Sequence, residues 1–574
     1  MDRARWHNDR VQRASIRIAL RPLIALTRFV AALAPLAVLA GCPKPANAPQ
    51  VGTHPKLVVL VVVDQMPTWA FDQQQSLFIG GFARLLREGA YVKAGEIPWA
   101  NTFTAPGHAA IATGAPSRVN GIVGNQWYRR IEERERPAEW DPGSPVLIVG
   151  GPQGNDRATE DLGASARALR VDGIADVLRR ATHGRAHSVA IGLKARAACF
   201  VAGKQPDLAI WYEPAAGGMT TSKAYVAEPP AWLVQLASRH PVSRYFGATW
   251  EPRAAEMLAR VTGIIDAAPG EGGEHGLGPT FPHVLTASAE PEKAIVQTPF
   301  GDELVMSTVA AAIDGMELGK DDIPDLLAIS FGAHDYASHS WGADSWEAVD
   351  LTLRLDAALG QLFESLDARV GKNNWAIVLT SDHGSTPIIE RARIGSARRV
   401  PTKELEGAAE KGLESVIGPG PYVAKLSSDN IYMTQNFRQA PDDLRDEALT
   451  ATARAVTSLP NVALAGRTDR FAGGCNAFKD LEYAVCLATV PNDAGEIYVY
   501  PSAGSLFTDY KLGTHHDALS DDNRRVPILV MAPGVAPQSG TGSLLQIAPT
   551  VAALLGIPPP PSATEQPLFG ITAH

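Results

Sequence analysis

The chain has 574 residues and a formal net charge of −9, with 45% hydrophobic, 20% charged and 7% aromatic residues. This globular composition excludes a disordered or fibrous chain, and the acidic balance argues against a nucleic-acid partner held by a basic face. Four cysteines are too few for a disulfide scaffold, and no uncharged apolar stretch reaches the ~18 residues needed for a multi-spanning membrane protein.

Residues 1–28 carry seven Arg and two Asp, and 13 uncharged residues, 29–41, follow. A basic segment leading into a short apolar one reads as an export signal, too short to span. It ends Leu39-Ala40-Gly41-Cys42. This resembles the bacterial lipobox, which implies removal of residues 1–41 and lipidation of Cys42, with the protein anchored on the periplasmic face of a membrane. Residues 42–55 are rich in Pro and Ala and read as a tether. The chain beyond residue 28 carries −14, so any basic substrate site must be local. Export means an oxidising compartment. Cys475 and Cys486 could close a small loop there, and Cys199, in an apolar run, reads as a buried thiol; the sequence leaves the pairing open.

Four apolar runs rich in β-branched residues follow: 57–63 (LVVLVVV), 326–330 (LLAIS), 375–380 (WAIVLT) and 526–531 (VPILVM). Continuous runs of this length predict strands buried on both faces, hence a parallel sheet. Helical spacing appears between them over 71–89, 345–370 and 544–555. The alternation predicts an α/β fold, a doubly wound, mostly parallel sheet with helices on both faces. Residues 56–574 form one catalytic domain in this reading. Segments 130–185, 204–300 and 385–510, richer in Gly, Pro and charge, read as insertions at strand ends.

Open α/β sheets bind ligands beyond the carboxyl ends of their strands. Three of the four runs are followed there by an acid: Asp64, Asp335 and Asp382. His339, His383 and the pair His515–His516 cluster with them. Carboxylate and neutral imidazole are donors suited to Zn²⁺. Two sets of three could hold two ions about 4 Å apart, the clamp that phosphoryl transfer uses. Taken singly, each Asp is equally a helix cap and each His a core or surface residue. Recurrence at corresponding strand ends favours metal binding.

In the stretch 101–110 (NTFTAPGHAA), Pro106 favours a helix start. Thr104 then lies at or near the N-cap. Its hydroxyl sits in the positive field of the helix terminus, which favours an alkoxide and suits an incoming phosphate.

Together these pieces resemble the alkaline phosphatase superfamily, and the PafA-like phosphomonoesterases within it, from Leu57 to the end of the chain. The motifs are Val63-Asp64, the Thr104-Ala105-Pro106-Gly107-His108 loop, Gly124-Asn125-Gln126-Trp127, Lys194-Ala195-Arg196, Asp335 with His339, Asp382-His383-Gly384, His516 and the closing Gln546-Ile547-Ala548-Pro549-Thr550. The resemblance implies two Zn²⁺ per chain, one on Asp64, Asp382 and His383, the other on Asp335, His339 and His516. It makes Thr104 the nucleophile, bridging toward the metals and transiently phosphorylated. Asn125, Lys194 and Arg196 become the phosphate clamp, and small phosphate monoesters the substrates. His516 is preferred to His515 because the family's ligand precedes the small or acidic position that Asp517 fills. No ligands for a third, Mg²⁺ site are evident.

The main alternative is a nucleotide pyrophosphatase/phosphodiesterase with the same metals and nucleophile. A monoester dianion carries one more negative charge than a diester, so the cations Lys194 and Arg196 favour the monoester. A sulfatase is disfavoured, because its Cys or Ser frame is absent around Thr104. A metal-free binding lipoprotein is the non-enzymatic alternative, and the intact ligand set argues against it.

Overall fold

Strand β1 (Leu57–Val63) sends Leu57, Val59, Val61 and Val63 into one apolar core and Val58, Leu60 and Val62 into another. A strand that is apolar on both faces needs a helical layer on each side. The computed structural model describes residues 54–149, 162–285, 288–392 and 395–572. The export signal, Cys42 and most of the tether lie outside these residues.

In chain order, β1 is followed by α1 (Thr68–Gln74), α2 (Gly81–Glu88), β2 (Ala90–Glu96), α3 (Thr104–Thr113) and α4 (Ile174–Ala181). Then come β3 (Ser188–Gly192), α5 (Ala195–Phe200), β4 (Leu208–Glu213), β5 (Gly218–Thr220) and α6 (Pro299–Gly315). Strand β6 (Asp325–Phe331), α7 (Ala333–Trp341), α8 (Trp346–Leu366), β7 (Trp375–Thr380) and α9 (Thr402–Ile417) follow. The chain continues through β8 (Val423–Ser427), β9 (Asn430–Met433), α10 (Asp442–Thr457), β10 (Val462–Arg467) and β11 (Ile497–Pro501). It closes with β12 (Arg525–Met531), β13 (Gln538–Gly540) and α11 (Ile547–Leu554).

Nine of these strands form the main sheet, in the order β13-β2-β12-β7-β1-β6-β3-β4-β5. The run β7-β1-β6-β3-β4 is parallel throughout. One core packs α3, α4, α5 and α11 against the sheet; the other packs α2, α6, α7 and α8. This is the doubly wound α/β architecture expected.

Four expectations need correction. Strand β12 runs antiparallel to both β7 and β2, because an apolar run reports burial on two faces and not direction. The helix expected over 71–89 is broken: Asp356 accepts hydrogen bonds from the N–H groups of Ile79, Gly80 and Phe82 at 2.7–2.8 Å, starting α2 afresh. A side chain at Gly80 would place its Cβ 2.2 Å from the Asp356 carbonyl oxygen. Segment 204–300 is not purely an insertion, since β4 and β5 complete the main sheet; likewise α4, within 130–185, belongs to the main core.

Segment 385–510 builds a separate four-stranded sheet, β8-β9-β11-β10. Its own core joins Leu405, Leu413, Ile431, Met433, Val456 and Val499. Cys475 and Cys486 form a disulfide and Cys199 is a buried thiol.

Candidate functional site

Parallel register brings the acids together. Val63 of β1 pairs with Phe331 of β6, and Val62 with Thr380 of β7. The three strands therefore end at one level, with Asp64 and Asp382 just past β1 and β7. Asp335 stands in the first turn of α7, and His339 one turn later on the same helix face. His516 arrives from the loop between β11 and β12.

Two side-chain groups are fully buried, Asp64-Asp382-His383 and Asp335-His383-His516; a third, His339-His515-His516, is more open, and each group has ligand atoms within 4.8 Å of one another. The first matches the expected set. The second expected set is spread over two groups, with His339 Nε2 at 3.5 Å from Asp335 Oδ1. His516 joins both groups, whereas His515 belongs only to the outer one.

The imidazoles are oriented for metal. His339 Nδ1 bonds the Thr514 carbonyl at 2.8 Å, His383 Nδ1 that of Gly384 at 3.0 Å, and His516 Nδ1 that of Thr102 at 2.5 Å. Each bond fixes the tautomer and leaves Nε2 as a lone pair, the usual arrangement around a ligand. Asp64 Oδ1 and His383 Nε2 are buried with no hydrogen-bond partner among the described residues, while Asp64 Oδ2 meets Lys194 Nζ at 2.8 Å and Asp382 Oδ2 meets His108 Nδ1 at 3.2 Å. Orphaned donor atoms of this kind are costly unless a cation satisfies them, so the residues fit a divalent metal centre.

Electrostatics agree. Burial, then the charges of Asp335 and Asp382, hold the Asp64 carboxyl well above its usual range. Burial also works on Asp335, but Lys194 and His339 outweigh it and hold that carboxyl low. Asp382 is brought to about 2 because His383 and His108 overcome its burial. Burial, with neighbouring His383 and His339, pushes His516 well below the ordinary imidazole value, and burial lowers His383 as well. Burial thus disfavours the charged form of both imidazoles.

Thr104 is the first residue of α3, next to the N-cap Phe103. Pro106 still falls in the first turn, where a missing N–H leaves no bond unmade. Asn125 Oδ1 accepts the Ala105 N–H at 2.8 Å, so its amide sits against this helix start. Lys194 Nζ lies 3.4 Å from Thr104 Oγ1 and 2.8 Å from Asp64 Oδ2, and also contacts Asp335. The ammonium expected to clamp phosphate is thus held mainly by two of the metal-type acids. Arg196 is half-buried, and its Nε has no hydrogen-bond partner among the described residues. Burial opposes its charge, but Tyr336, Glu139, Asp64 and Asp335 outweigh burial.

Two cavities of 440 and 460 Å³ open over this centre and share Arg196, His339 and His515 in their linings. Three supporting residues escaped the sequence reading. His108 lies with Nδ1 3.2 Å from Asp382 Oδ2 and 2.9 Å from the Thr104 carbonyl, tying strand end to helix. Gln65 follows Asp64 at a φ of 60°. With its amide oxygen accepting from Ser385 Oγ, its nitrogen reaches Asp335 Oδ1 at 2.8 Å. Tyr336 places its ring 5.0 Å from the Lys194 ammonium. Gln65 and Tyr336 each follow a residue already singled out, and His108 closes the loop motif that begins at Thr104; that nearness in sequence was the available signal.

The family model described as type I phosphodiesterase / nucleotide pyrophosphatase matches residues 58–523. Alkaline phosphatase PafA of Elizabethkingia meningoseptica is 28% identical over 534 residues, covering 90% of this chain and 94% of that protein. Alkaline phosphatase PhoV of Synechococcus elongatus is also 28% identical, covering 90% of this chain and 93% of that one. The crystal structure of wild-type alkaline phosphatase PafA superposes with a TM-score of 0.81 at 27% identity, covering 90% of this chain and 99% of that one. This chain belongs to the type I phosphodiesterase/nucleotide pyrophosphatase family, within the alkaline phosphatase superfamily, and is a phosphoester hydrolase similar to the PafA enzymes.

Proposed function

We propose that the chain is a two-zinc phosphomonoesterase working through a phosphothreonine at Thr104. The observation that carries this reading is a pair of cations, Lys194 beside the Thr104 hydroxyl, Asp64 and Asp335, and Arg196 within electrostatic reach of the same two acids. A transferring phosphoryl dianion needs more positive charge than a diester does.

Asp64, Asp382 and His383 would hold one ion, and Asp335, His339 and His516 the other. Bound there, the ions would lower the pKa of the Thr104 hydroxyl and neutralise the leaving oxygen. Asn125, fixed on the Ala105 N–H, turns its amide nitrogen toward the phosphoryl group. Lys194, which pairs with Asp64 and Asp335 here, would be free to reach the phosphoryl oxygens if those carboxylates held the ions. Arg196 binds two of those oxygens through its planar fork. Thr104 Oγ attacks phosphorus in line, the alcohol departs, and water then hydrolyses the phosphothreonine to release phosphate.

The test is kcat/KM on a matched aryl phosphate monoester and diester with zinc supplied. Strong monoester preference supports the reading. Diester preference keeps fold, metals and nucleophile but assigns the chain phosphodiesterase activity, as the family model's name suggests. The lipobox-like run Leu39-Ala40-Gly41-Cys42 supports a lipid anchor at Cys42 and a periplasmic location.

A further inference from the structure

The cavity on the Asn125 side of the centre holds charged groups for which phosphoryl transfer has no use. It measures 460 Å³, and its lining includes Phe103, Asn125 and His516 of the site together with Asp429 and Asp517. Both of these carboxylates are 6% exposed. Asp429 Oδ2 and Asp517 Oδ1 lack a hydrogen-bond partner among the described residues. Each acid thus brings an unpartnered buried oxygen to the lining of the same cavity.

Asp429 is held there deliberately. It belongs to the two-residue turn between β8 and β9, in which Ser428 and Asp429 adopt φ values of 45° and 60°. Positive φ at both central positions is the tight hairpin geometry that Gly and Asn usually fill. Backbone strain of this kind persists where the surroundings over-determine it. Here Ser428 Oγ donates to the Gln126 carbonyl at 2.6 Å, fastening the turn to the segment that carries Asn125. At Gly124 a Cβ would lie 2.0 Å from Ser428 Oγ, so the fit requires glycine. The cations of the same cavity are directed elsewhere: Lys425 pairs with Glu135 at 3.6 Å, and Arg196 faces Asp64 and Asp335.

We propose that this cavity is the leaving-group subsite, and that Asp429 and Asp517 select phosphate monoesters whose alcohol carries an ammonium group. The inference rests on the phosphatase reading above and adds the class of alcohol. Buried carboxylate oxygens that lack a donor are satisfied best by a cation with several N–H groups. With Arg196 and both acids lining one cavity, the complementary ligand is dipolar: a phosphoryl dianion joined by a short chain to an ammonium. A divalent metal between the two acids is the competing occupant.

The experiment compares kcat/KM of the zinc-loaded enzyme for 2-aminoethyl phosphate and for propyl phosphate, a neutral ester of the same length. The expected preference for the amine is about ten-fold or more, the order of a desolvated charge pair. Asp429→Asn should lower that ratio several-fold. Inhibition of the unmodified enzyme by 3-aminopropylphosphonate and butylphosphonate supplies a second measure that needs no variant, and the amine should again bind more tightly. Equal kcat/KM for the two esters, or a preference unchanged in Asp429→Asn, overturns the proposal. So does stoichiometric Mg²⁺ or Ca²⁺ binding that Asp429→Asn abolishes, since the pair would then be a metal site. Turnover of propyl phosphate without amine preference leaves the phosphatase reading standing, whereas turnover of neither ester overturns both.

Discussion

A Cβ added to Gly107 would lie 2.5 Å from the Asp382 carbonyl oxygen and 2.7 Å from the Asp382 Cβ. Helix α3, which presents Thr104, therefore packs directly on the chain end that presents Asp382, and glycine sets the distance between nucleophile and metal ligand. Gly107→Ala must push the helix outward. Overpacking of this kind costs about 1–3 kcal/mol in stability, and a displaced nucleophile costs roughly 100-fold in rate. Thermal melting and kcat together check this; a variant with unchanged kcat would show that the spacing is not critical.

Thr104→Ala removes the hydroxyl without touching the Asp and His sets. Turnover should fall by roughly three orders of magnitude or more, as when other covalent nucleophiles are deleted. Zinc content, read by elemental analysis, should stay at the level of the unmodified protein. Substantial residual turnover would assign the attacking oxygen to another group.

Arg196→Ala should separate the two ester classes. Monoester kcat/KM is expected to drop by roughly 100-fold, about 2.7 kcal/mol of transition-state stabilisation. The diester, with one charge fewer, should lose less than about ten-fold. Equal losses would mean that Arg196 supports the site without reading phosphate charge.

Asp302 of α6 accepts the N–H of Ala333 at 3.2 Å, at the start of the helix that carries Asp335 and His339. Burial raises its carboxyl from 3.8 to about 7. Between those values the unfolded chain has released the proton and the folded one retains it. Stability from this group is therefore full below the lower value and declines as pH rises toward 7. The whole effect is at most about 4 kcal/mol. Asp302→Asn should flatten this slope, gaining on the unmodified protein at about pH 8 relative to about pH 5 in melting experiments. An identical pH dependence in both proteins would exclude the group.

Cys42→Ala should move the protein from the membrane to a soluble or unprocessed fraction on cell fractionation. Unchanged membrane association would mean that Cys42 is not the anchor.

Much of the centre could be read along the chain. Asp64, Asp335 and Asp382 each follow an apolar run, and a buried parallel strand must end where open α/β sheets bind ligands. Thr104 and Pro106 mark a helix start by local backbone chemistry alone. These are short-range relations, and composition and spacing determine them.

Contacts between distant segments were not legible in this way. A sequence separation of 141 residues between Lys194 and Asp335 conceals the ion pair that turns the ammonium from the expected clamp toward the acids. Asp429 reaches the cavity only because a hairpin from the separate four-stranded sheet docks on Gln126. The direction of β12 was equally hidden, since a strand buried on both faces looks the same in either orientation. Sequence determined which side chains stand at the strand ends. Tertiary packing decided which of them meet, because a contact across hundreds of residues depends on how helices and turns fill the space above the sheet.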